Sequence, residues 1–213
     1  MKDSFKHKGL RNQLVKSLSG KGITNNRILD AINNIPRHLF IDSGFVDHAY
    51  QDKAFPIGSG QTISQPFTVA FQTNLLDIKK GDKILEVGTG SGYQTALLCE
   101  LGAEVYSIER QKKLFKKTSL FLPKIGYFPK KLIFGDGYIG FDKQAPYDSI
   151  IVTAGAPFIP KMLLNQLKTN GKLVIPVGES SQTMTLITKL ANDKFKRTEF
   201  GEFNFVPLLK DKN

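Results

Sequence analysis

Three glycines and one acidic residue carry the strongest chemical signal in this chain of 213 residues. Gly88, Gly90 and Gly92 follow an apolar run, and because they lack a Cβ atom a ligand can approach their backbone closely. The residues that follow favour a helix, whose free N–H groups and positive dipole end would point at that ligand. Glu109 ends the next apolar run, about 20 residues on, where an acid can accept hydrogen bonds from ribose hydroxyls. The pattern predicts a site for a nucleoside-bearing ligand.

The spacing of the glycines indicates which kind of ligand this is. Dinucleotide-binding turns follow G-x-G-x-x-G, and the position of the last glycine is occupied here by Tyr93. The run from Glu86 to Gly92, E-V-G-T-G-S-G, instead resembles motif I of S-adenosylmethionine-dependent methyltransferases. Asp136 lies between two glycines after a later strand, and we expect it to meet the adenine amino group.

Apolar runs and helical patterns alternate along most of the chain, which predicts a mostly parallel α/β sheet. Polar residues at the carboxyl ends of its strands should meet in one crevice. The expected strands are 83–87, 104–108, 131–134, 147–152 and 172–177, followed by an antiparallel pair, 183–190 and 196–205. The expected helices are 67–76, 94–101, 111–121 and 160–167.

The region before the first core strand predicts helices, because Leu10, Leu14, Val15 and Leu18 recur at helical spacing. A second helix is expected over 25–33, with Thr24 as its cap. Pro36 should precede a short third one. We therefore expect one domain over 1–213, made of N-terminal helices in 1–54, a Gly- and Pro-rich loop in 55–66 and an α/β core in 67–213.

The composition and the lack of long apolar runs favour a globular protein over a membrane-spanning one. The chain is 40% hydrophobic and 23% charged, which is ordinary for a globular protein. The first eight residues lack the apolar stretch of a signal peptide, and no run is long enough to span a membrane. The single cysteine, Cys99, is expected to be a buried structural thiol in a reducing cytoplasm.

The net charge of +11 leaves two interpretations open. Lysines cluster in the expected helix 111–121 and shortly after it, which indicates either a solvated helix face or a surface that attracts acidic or polyanionic substrates.

The three histidines, His7, His38 and His48, have no metal-like spacing, so surface or capping roles are expected and no metal site.

Four stretches show a resemblance to the protein-L-isoaspartate O-methyltransferase family. They are the loop 55–66 with P-I-G-S-G-Q-T-I-S-Q-P, the run 85–97, the segments 135–137 and 145–154, and F-V-P-L at 205–208. The resemblance implies a class I methyltransferase fold: a Rossmann-like, mostly parallel seven-stranded sheet with a terminal antiparallel hairpin and an N-terminal helical appendage. One departure is that Phe203 and Asn204 stand where a basic residue is usual.

The same resemblance implies a function. The family transfers a methyl group from S-adenosyl-L-methionine to the free carboxylate of L-isoaspartyl residues in damaged proteins, which starts their repair. By this resemblance Ser64 is the active-site residue, and we expect it to orient the reacting groups rather than act as a nucleophile. The implied partners are peptides and proteins that contain isoaspartyl residues, with no nucleic acid and no membrane, and the protein is expected to be a monomer.

The site residues expected from the motifs and the resemblance fall into two further groups. The cofactor-binding residues are Thr62, Ile63, Glu86, Gly88, Thr89, Gly90, Ser91, Glu109, Arg110, Gly135, Asp136 and Gly137. The substrate-binding residues are Ile57, Gly58, Ser59, Gly60, Val206, Pro207 and Leu208.

Two alternatives stay open on the residues alone. The positive charge is compatible with a nucleic-acid or small-molecule methyltransferase, although enzymes that methylate base amines commonly carry an N/D-P-P-Y/F/W motif where this chain has T-A-G-A-P at 153–157. The second is an NAD-dependent oxidoreductase or a noncatalytic nucleotide-binding module, against which Tyr93 argues.

Overall fold

The computed structural model describes residues 3–213, so the first two residues of the expected N-terminal segment lie outside it. Its strands form a hairpin and a seven-stranded sheet. The strands are β1 Phe55–Gly58, β2 Gln61–Ile63, β3 Lys83–Val87, β4 Glu104–Glu109, β5 Lys131–Phe134, β6 Tyr147–Val152, β7 Leu167–Val177, β8 Gln182–Lys189 and β9 Phe195–Phe203. The helices are α1 Phe5–Gly20, α2 Asn26–Asn34, α3 Pro66–Leu76, α4 Tyr93–Glu100, α5 Lys112–Lys124 and α6 Lys161–Asn165.

The large sheet has the strand order β5-β4-β3-β6-β7-β8-β9. Strands β3 to β7 pair in parallel, and β8 and β9 add an antiparallel end. The chain runs outward from β3 through β4 to β5 and then returns to the other side of β3 at β6. A crevice forms where the strand order reverses in this way, beyond the carboxyl ends of β3 and β6. The predicted α/β fold class is confirmed.

The central strand β3 shows why the sheet lies inside the protein. Its residues from Ile84 to Val87 are all buried, as expected for a parallel strand covered on both faces. Ile84 belongs to the larger apolar cluster, which takes in α1 to α5, whereas Leu85 and Val87 belong to the cluster on the opposite face, which takes in Leu163 of α6. The alternation along the strand therefore joins two core layers.

The N-terminal helices pack into the larger cluster through Leu14, Leu18, Ile28 and Ile32. Helix α1 begins with a reciprocal capping box between Ser4 and His7. Helix α2 is capped by Asn25, whose side chain accepts from the Arg27 N–H, and not by Thr24 as the sequence predicted. Within residues 3–213, no helix combines the length and the apolarity needed to cross a bilayer.

The segment 55–66 is a β-hairpin rather than the irregular loop expected from its glycines and prolines. Strands β1 and β2 pair antiparallel, with Phe55 opposite Ile63. Phe55 and Ile57 are buried while Pro56 and Gly58 are exposed, so the period of two residues is present but hidden among turn-forming residue types. Ser59 and Gly60 have positive φ angles at the tip.

Two other elements differ from the sequence prediction in extent. Helix α6 is only five residues long, and β7 begins at Leu167, five residues before the predicted start, because Leu167 pairs with Tyr147 ahead of a register shift in the ladder. Helix α5 is amphipathic as predicted. It buries Leu114, Thr118 and Leu122, whereas Leu120 is 68% exposed.

A buried arginine in the short 3-10 helix Arg37–Phe40, which follows α2, joins this part of the chain to the core. Arg37 is fully buried, and its guanidinium donates to the carbonyl oxygens of Ala49 at 3.1 Å and Ser64 at 2.9 Å. It also donates to the Lys53 carbonyl at 3.3 Å and lies 4.7 Å from the centre of the Tyr93 ring. Burial lowers the pKa of Arg37 to about 10, so the side chain still carries its charge at neutral pH.

We predict that Arg37→Met lowers the free energy of unfolding by about 3 kcal/mol or more, because buried carbonyls left without donors cost roughly 1–3 kcal/mol each. Urea unfolding measures the change. The matched control is Arg27→Met. Arg27 donates to two backbone carbonyls but is exposed, so water can replace its guanidinium. The loss of unfolding free energy in this variant should stay within about 1 kcal/mol. Equal losses in both variants would contradict the prediction.

Candidate active site

A cavity opens beyond the carboxyl ends of β3, β4 and β6, where the strand order reverses. It holds about 760 Å³ of space free of protein atoms, its open mouth included. We call it the central cavity. Many sequence-predicted site residues meet in its wall: Thr62, Ile63, Ser64, Gly88, Thr89, Gly90, Ser91, Glu109, Arg110, Gly137, Val206, Pro207 and Leu208.

The glycine turn between β3 and α4 requires glycine because its backbone has positive φ angles and because a Cβ atom would clash with neighbouring side chains. Gly88 has a φ of +102°, and a Cβ there would overlap the hydroxyl of Thr153. Gly92 has a φ of +86°, and a Cβ there would come within 2.8 Å of the Thr118 methyl group on α5. The turn thus fits tightly between β6 and α5, and the backbone of Gly88 and Gly90 forms part of the cavity wall.

Glu109 is held by the turn that it faces. One of its carboxylate oxygens accepts from the Gly90 N–H at 2.8 Å, and the other accepts from the Gln111 N–H at 2.7 Å. Burial raises the pKa of Glu109, and these two N–H donors oppose that rise. Each carboxylate oxygen can accept a further hydrogen bond, so two neighbouring hydroxyls of a ligand could be bound at once.

These groups fit the adenosyl cofactor that the sequence implies. The ribose of S-adenosylmethionine offers two adjacent hydroxyls to Glu109, and the backbone of Gly88 and Gly90 lines the cavity beside it. The cofactor-binding roles stay predictions, and most of the residues concerned lie in the wall of one cavity.

Three other predicted cofactor residues are placed differently. The Asp136 carboxylate accepts from the N–H groups of Tyr138 at 2.8 Å and Asp211 at 3.0 Å, and neither Asp136 nor Gly135 lies in the cavity wall. Arg110 borders the cavity, but its guanidinium donates to the carbonyl oxygens of Lys210 and Asp211. Lys210 and Asp211, at the end of the chain, therefore bind the side chains of Arg110 and Asp136, which the sequence predicted to bind the cofactor.

Glu86 lies beneath the glycine turn rather than in the cavity. It is fully buried on the face of β3 that meets α4, and one oxygen accepts from the Thr95 hydroxyl at 2.6 Å. Its other oxygen has no hydrogen-bond partner among the described residues. Burial raises the pKa of Glu86 to about 8, so the carboxyl group is mostly neutral at pH 7.

The hydroxyl-bearing residues of the hairpin lie where the central cavity meets a second cleft. This second cleft, which we call the aromatic cleft, is lined by Phe67, Phe71, Phe203 and Phe205 and holds about 1060 Å³ by the same measure. Four residues belong to both walls: Thr62, Ser64, Thr153 and Val206.

The F-V-P-L segment is fixed to the end of β6. The Gly155 N–H donates to the Val206 carbonyl at 2.9 Å, and the Leu208 N–H donates to the Gly155 carbonyl at 2.7 Å. Pro207 therefore lies between two backbone hydrogen bonds and pairs with Gly155 as a short bridge. The remaining predicted substrate residues, Ile57 and Gly58 to Gly60, form the hairpin outside both cavities, and their roles stay predictions.

Sequence reasoning did not assign roles to several residues of the central cavity wall, among them Gln61, Tyr93 and Gln94. Thr153 directly follows a predicted strand, was expected in the crevice for that reason, and lies in the cavity wall. Its hydroxyl donates to the Gly88 carbonyl at 2.8 Å and the Val87 carbonyl at 3.1 Å, which ties the end of β6 to the glycine turn.

His38 differs from the expected surface role, because it is buried and its ring stacks on His7 at 3.8 Å between centroids. Burial lowers its pKa to about 4, so it is neutral, and Nδ1 pairs with the Tyr50 hydroxyl. Donor atoms of Asp3, His7 and His38 lie within 4.8 Å of one another. Both Asp3 oxygens, however, are bound by Arg11. The absence of a metal site stays a prediction.

Cys99 on α4 is half-buried and free. Burial raises the pKa of its thiol to about 12, so almost none of it is ionised at neutral pH. This environment agrees with a structural thiol rather than a reactive one.

Comparison with known proteins identifies one family. The sequence model described as protein-L-isoaspartate(D-aspartate) O-methyltransferase matches residues 9–213. A protein-L-isoaspartate O-methyltransferase of Flavobacterium psychrophilum is 69% identical over all 213 residues of both chains, and that of Christiangramia forsetii is 66% identical over the same extent.

Solved structures agree. A protein-L-isoaspartate O-methyltransferase superposes with a TM-score of 0.84 and 27% identity, covering 92% of this chain and 65% of the other. A Plasmodium falciparum structure in complex with S-adenosyl-L-homocysteine gives a TM-score of 0.79 and 27% identity, covering 96% of this chain and 99% of the other.

The raised pKa of Glu86 predicts a pH-dependent stability. Between about pH 4.5 and pH 8 the unfolded chain releases the Glu86 proton whereas the folded chain keeps it, so rising pH stabilises the unfolded state. Glu86→Gln cannot titrate and can still accept from Thr95. We therefore expect the wild type to lose stability relative to Glu86→Gln across this window, by about 1.4 kcal/mol per unit of pKa difference.

Urea unfolding of both proteins at several pH values measures this difference. Glu179→Gln, at an exposed position, is the matched control and should follow the wild type. Parallel curves for the wild type and Glu86→Gln would show that the pKa of Glu86 is not raised.

Proposed function

Because the chain belongs to the protein-L-isoaspartate(D-aspartate) O-methyltransferase family, we propose how its own residues carry out the reaction of that family. The enzyme transfers a methyl group from S-adenosylmethionine to the free carboxylate of an L-isoaspartyl residue, and this transfer starts the repair of a damaged protein. One observation carries the proposal: three hydroxyl-bearing residues, Thr62, Ser64 and Thr153, stand between the central cavity and the aromatic cleft.

The substrate needs little chemical activation. A carboxyl group with an ordinary pKa near 4 is ionised at neutral pH and is already a nucleophile, so no general base is required. S-adenosylmethionine supplies a methyl group on a positively charged sulfur. A carboxylate oxygen forms a bond to that carbon while the carbon–sulfur bond breaks, which leaves a methyl ester and S-adenosylhomocysteine.

The protein must therefore bring the carboxylate to about 3 Å from the methyl carbon and keep water away. Ser64 is half-buried at the junction, and its backbone carbonyl is held by the buried Arg37. We propose that the Ser64 hydroxyl donates to the substrate carboxylate and orients it. Thr62 supplies a second hydroxyl at the same junction, whereas the Thr153 hydroxyl is bound to the Gly88 and Val87 carbonyls and holds the glycine turn in place.

We propose that the cofactor lies in the central cavity, with its ribose on Glu109 and its chain along the glycine turn. Support comes from the two N–H groups that fix the Glu109 carboxylate and from the position of Gly88 and Gly90 in the cavity wall. The Glu86 carboxyl group supports the turn from below through Thr95 and does not contact the cofactor.

We propose that the peptide on either side of the isoaspartyl residue occupies the aromatic cleft. The cleft is continuous with the junction, since it shares Ser64 and Val206 with the central cavity. Its rings lie close together: the ring centroids are 5.3 Å apart for Phe71 and Phe203 and 6.5 Å apart for Phe203 and Phe205. Phe203, which with Asn204 stands where a basic residue is usual in the family, adds an aromatic ring to this wall, so apolar neighbours of the isoaspartyl residue fit against the rings.

The family assignment decides between the activities that the sequence left open, in favour of a carboxyl methyltransferase. We further propose that proteins rather than nucleic acids are the substrates and that the enzyme acts as a monomer, because residues of a single chain complete the junction. We propose a cytoplasmic location, for which the single free thiol is the supporting observation.

Methyl transfer from labelled S-adenosylmethionine to an isoaspartyl peptide tests the function, with the aspartyl isomer of the same peptide and an RNA as controls. The product should lose its label as methanol in mild base, which N-methylated bases do not. Labelling of RNA in place of the isoaspartyl peptide would overturn the assignment.

In the same assay we predict that Ser64→Ala lowers kcat by about 10-fold to 100-fold, consistent with the loss of one hydrogen bond to a charged group. The Kd for S-adenosylhomocysteine, measured by isothermal titration, should change by less than about twofold, because Ser64 acts on the substrate carboxylate. Ser180→Ala, an exposed serine between β7 and β8, is the control. Equal loss in kcat and in cofactor affinity would make Ser64 a structural turn residue.

For the cofactor site we predict that Glu109→Gln weakens S-adenosylhomocysteine binding by about 10-fold to 100-fold, because hydrogen bonds to a charged acceptor are worth roughly 1.5–3 kcal/mol. Glu104→Gln makes the same change at the other end of β4, where the side chain pairs with Lys130, and should leave the affinity unaltered. An unchanged Kd in Glu109→Gln would remove Glu109 from the site.

A further inference from the structure

The last four residues of the chain, 210–213, fold back against the ends of β4 and β5 and the start of α5. We call this segment the terminal strap. It is joined to those elements at several points: the Asn213 N–H donates to the Arg110 carbonyl at 2.9 Å, and the Lys112 N–H donates to the Asn213 carbonyl at 2.6 Å. The Asn213 side chain adds a hydrogen bond of 3.1 Å to Gln111.

Arg110 holds the strap from the side of β4. Its Nε donates to the Asp211 carbonyl at 2.8 Å, and its Nη2 donates to the Lys210 carbonyl at 3.1 Å. Arg110 directly follows Glu109, the proposed ribose ligand, and also borders the central cavity. The contacts of the strap therefore begin one residue from the proposed cofactor site.

Asp136 holds the strap from the side of β5. One carboxylate oxygen accepts from the Asp211 N–H at 3.0 Å, and the other accepts from the Tyr138 N–H at 2.8 Å. With both oxygens bound, the carboxylate has one fixed orientation. Each oxygen can still accept one more hydrogen bond, but the carboxylate lies outside the central cavity wall, so its contact with the adenine amino group stays a prediction.

The strap begins directly after two residues of the central cavity wall, and none of residues 210–213 is itself part of that wall. It follows Leu208, which is 8% exposed, and Leu209, and both residues line the cavity. Lys210 lies over the Tyr138 ring at 5.7 Å and Lys212 over the Phe134 ring at 5.6 Å, so both lysines lie on the side of β5.

From these contacts we propose that the terminal strap is a positioning element for the adenosyl end of the cofactor. It fixes the Asp136 carboxylate and the residues next to Glu109 before the cofactor binds, and it contacts no reacting atom. The inference rests on the proposed cofactor site. Preorganised groups need not be ordered at the moment of binding, so the strap strengthens cofactor binding without changing the methyl-transfer step.

The test uses two substitutions at Asp211, whose φ of +62° is unusual for a residue other than glycine. Asp211→Pro removes the N–H that binds Asp136 and cannot adopt this φ, so it should release the strap. Asp211→Gly keeps the N–H and tolerates the φ, so it is the matched control. A chain shortened to residues 1–209 removes the strap entirely, and Lys116→Ala controls for lost positive charge.

We expect Asp211→Pro and the shortened chain to raise the Kd for S-adenosylhomocysteine by about three- to tenfold, the cost of ordering one or two side chains. Their KM for S-adenosylmethionine should rise in step, while kcat and the KM for the isoaspartyl peptide stay unchanged. Asp211→Gly and Lys116→Ala should bind as the wild type does.

The outcomes separate the two proposals. If the intact chain does not bind S-adenosylhomocysteine, the proposed cofactor site fails. If the intact chain binds it and the shortened chain binds it equally well, the strap proposal alone is overturned. A fall in kcat at unchanged cofactor affinity would also overturn it, because the strap would then act on the chemical step.

Discussion

The buried guanidinium of Arg37 is the contact on which the arrangement of the substrate side depends. A charged group without access to water must find partners inside the protein, and Arg37 finds them in the backbone of Ala49, Lys53 and Ser64. Because it also lies on the ring of Tyr93, the first residue of α4, the same side chain spans the hairpin and the helix that follows the glycine turn. The segment that follows α2 thus helps to fix the backbone position of Ser64.

Two glutamates near the glycine turn show how burial and hydrogen bonding divide their roles. Glu109 has two N–H donors and remains suited to bind hydroxyls, whereas Glu86 has one hydroxyl donor and a pKa near 8. Glu109 faces the cavity, and Glu86 faces α4. The turn is therefore held by an acid on each side, one available to a ligand and one committed to the fold.

Local patterns predicted the parallel sheet and the glycine turn beside the central cavity, and contacts between distant parts of the chain limited the rest. The glycine spacing and the acid that ends β4 are short-range signals, as is the alternation that gave the parallel sheet. The hairpin was missed because turn-forming residues masked its two-residue period. No pattern links Arg37 to Ser64 or Asp136 to Asp211, and these contacts exist only because the fold brings residues 27 and 75 positions apart together.

The single cysteine offers a practical consequence of the way α4 is packed. Cys99 lies on α4, the helix that follows the glycine turn, and its thiol has a pKa of about 12. Alkylating reagents attack the thiolate, so in the native state modification should be slow until this helix separates from the sheet. The rate of alkylation then measures the opening of α4. Slower alkylation in the presence of a ligand would show that the ligand holds this helix closed. The measurement requires no label or added chromophore.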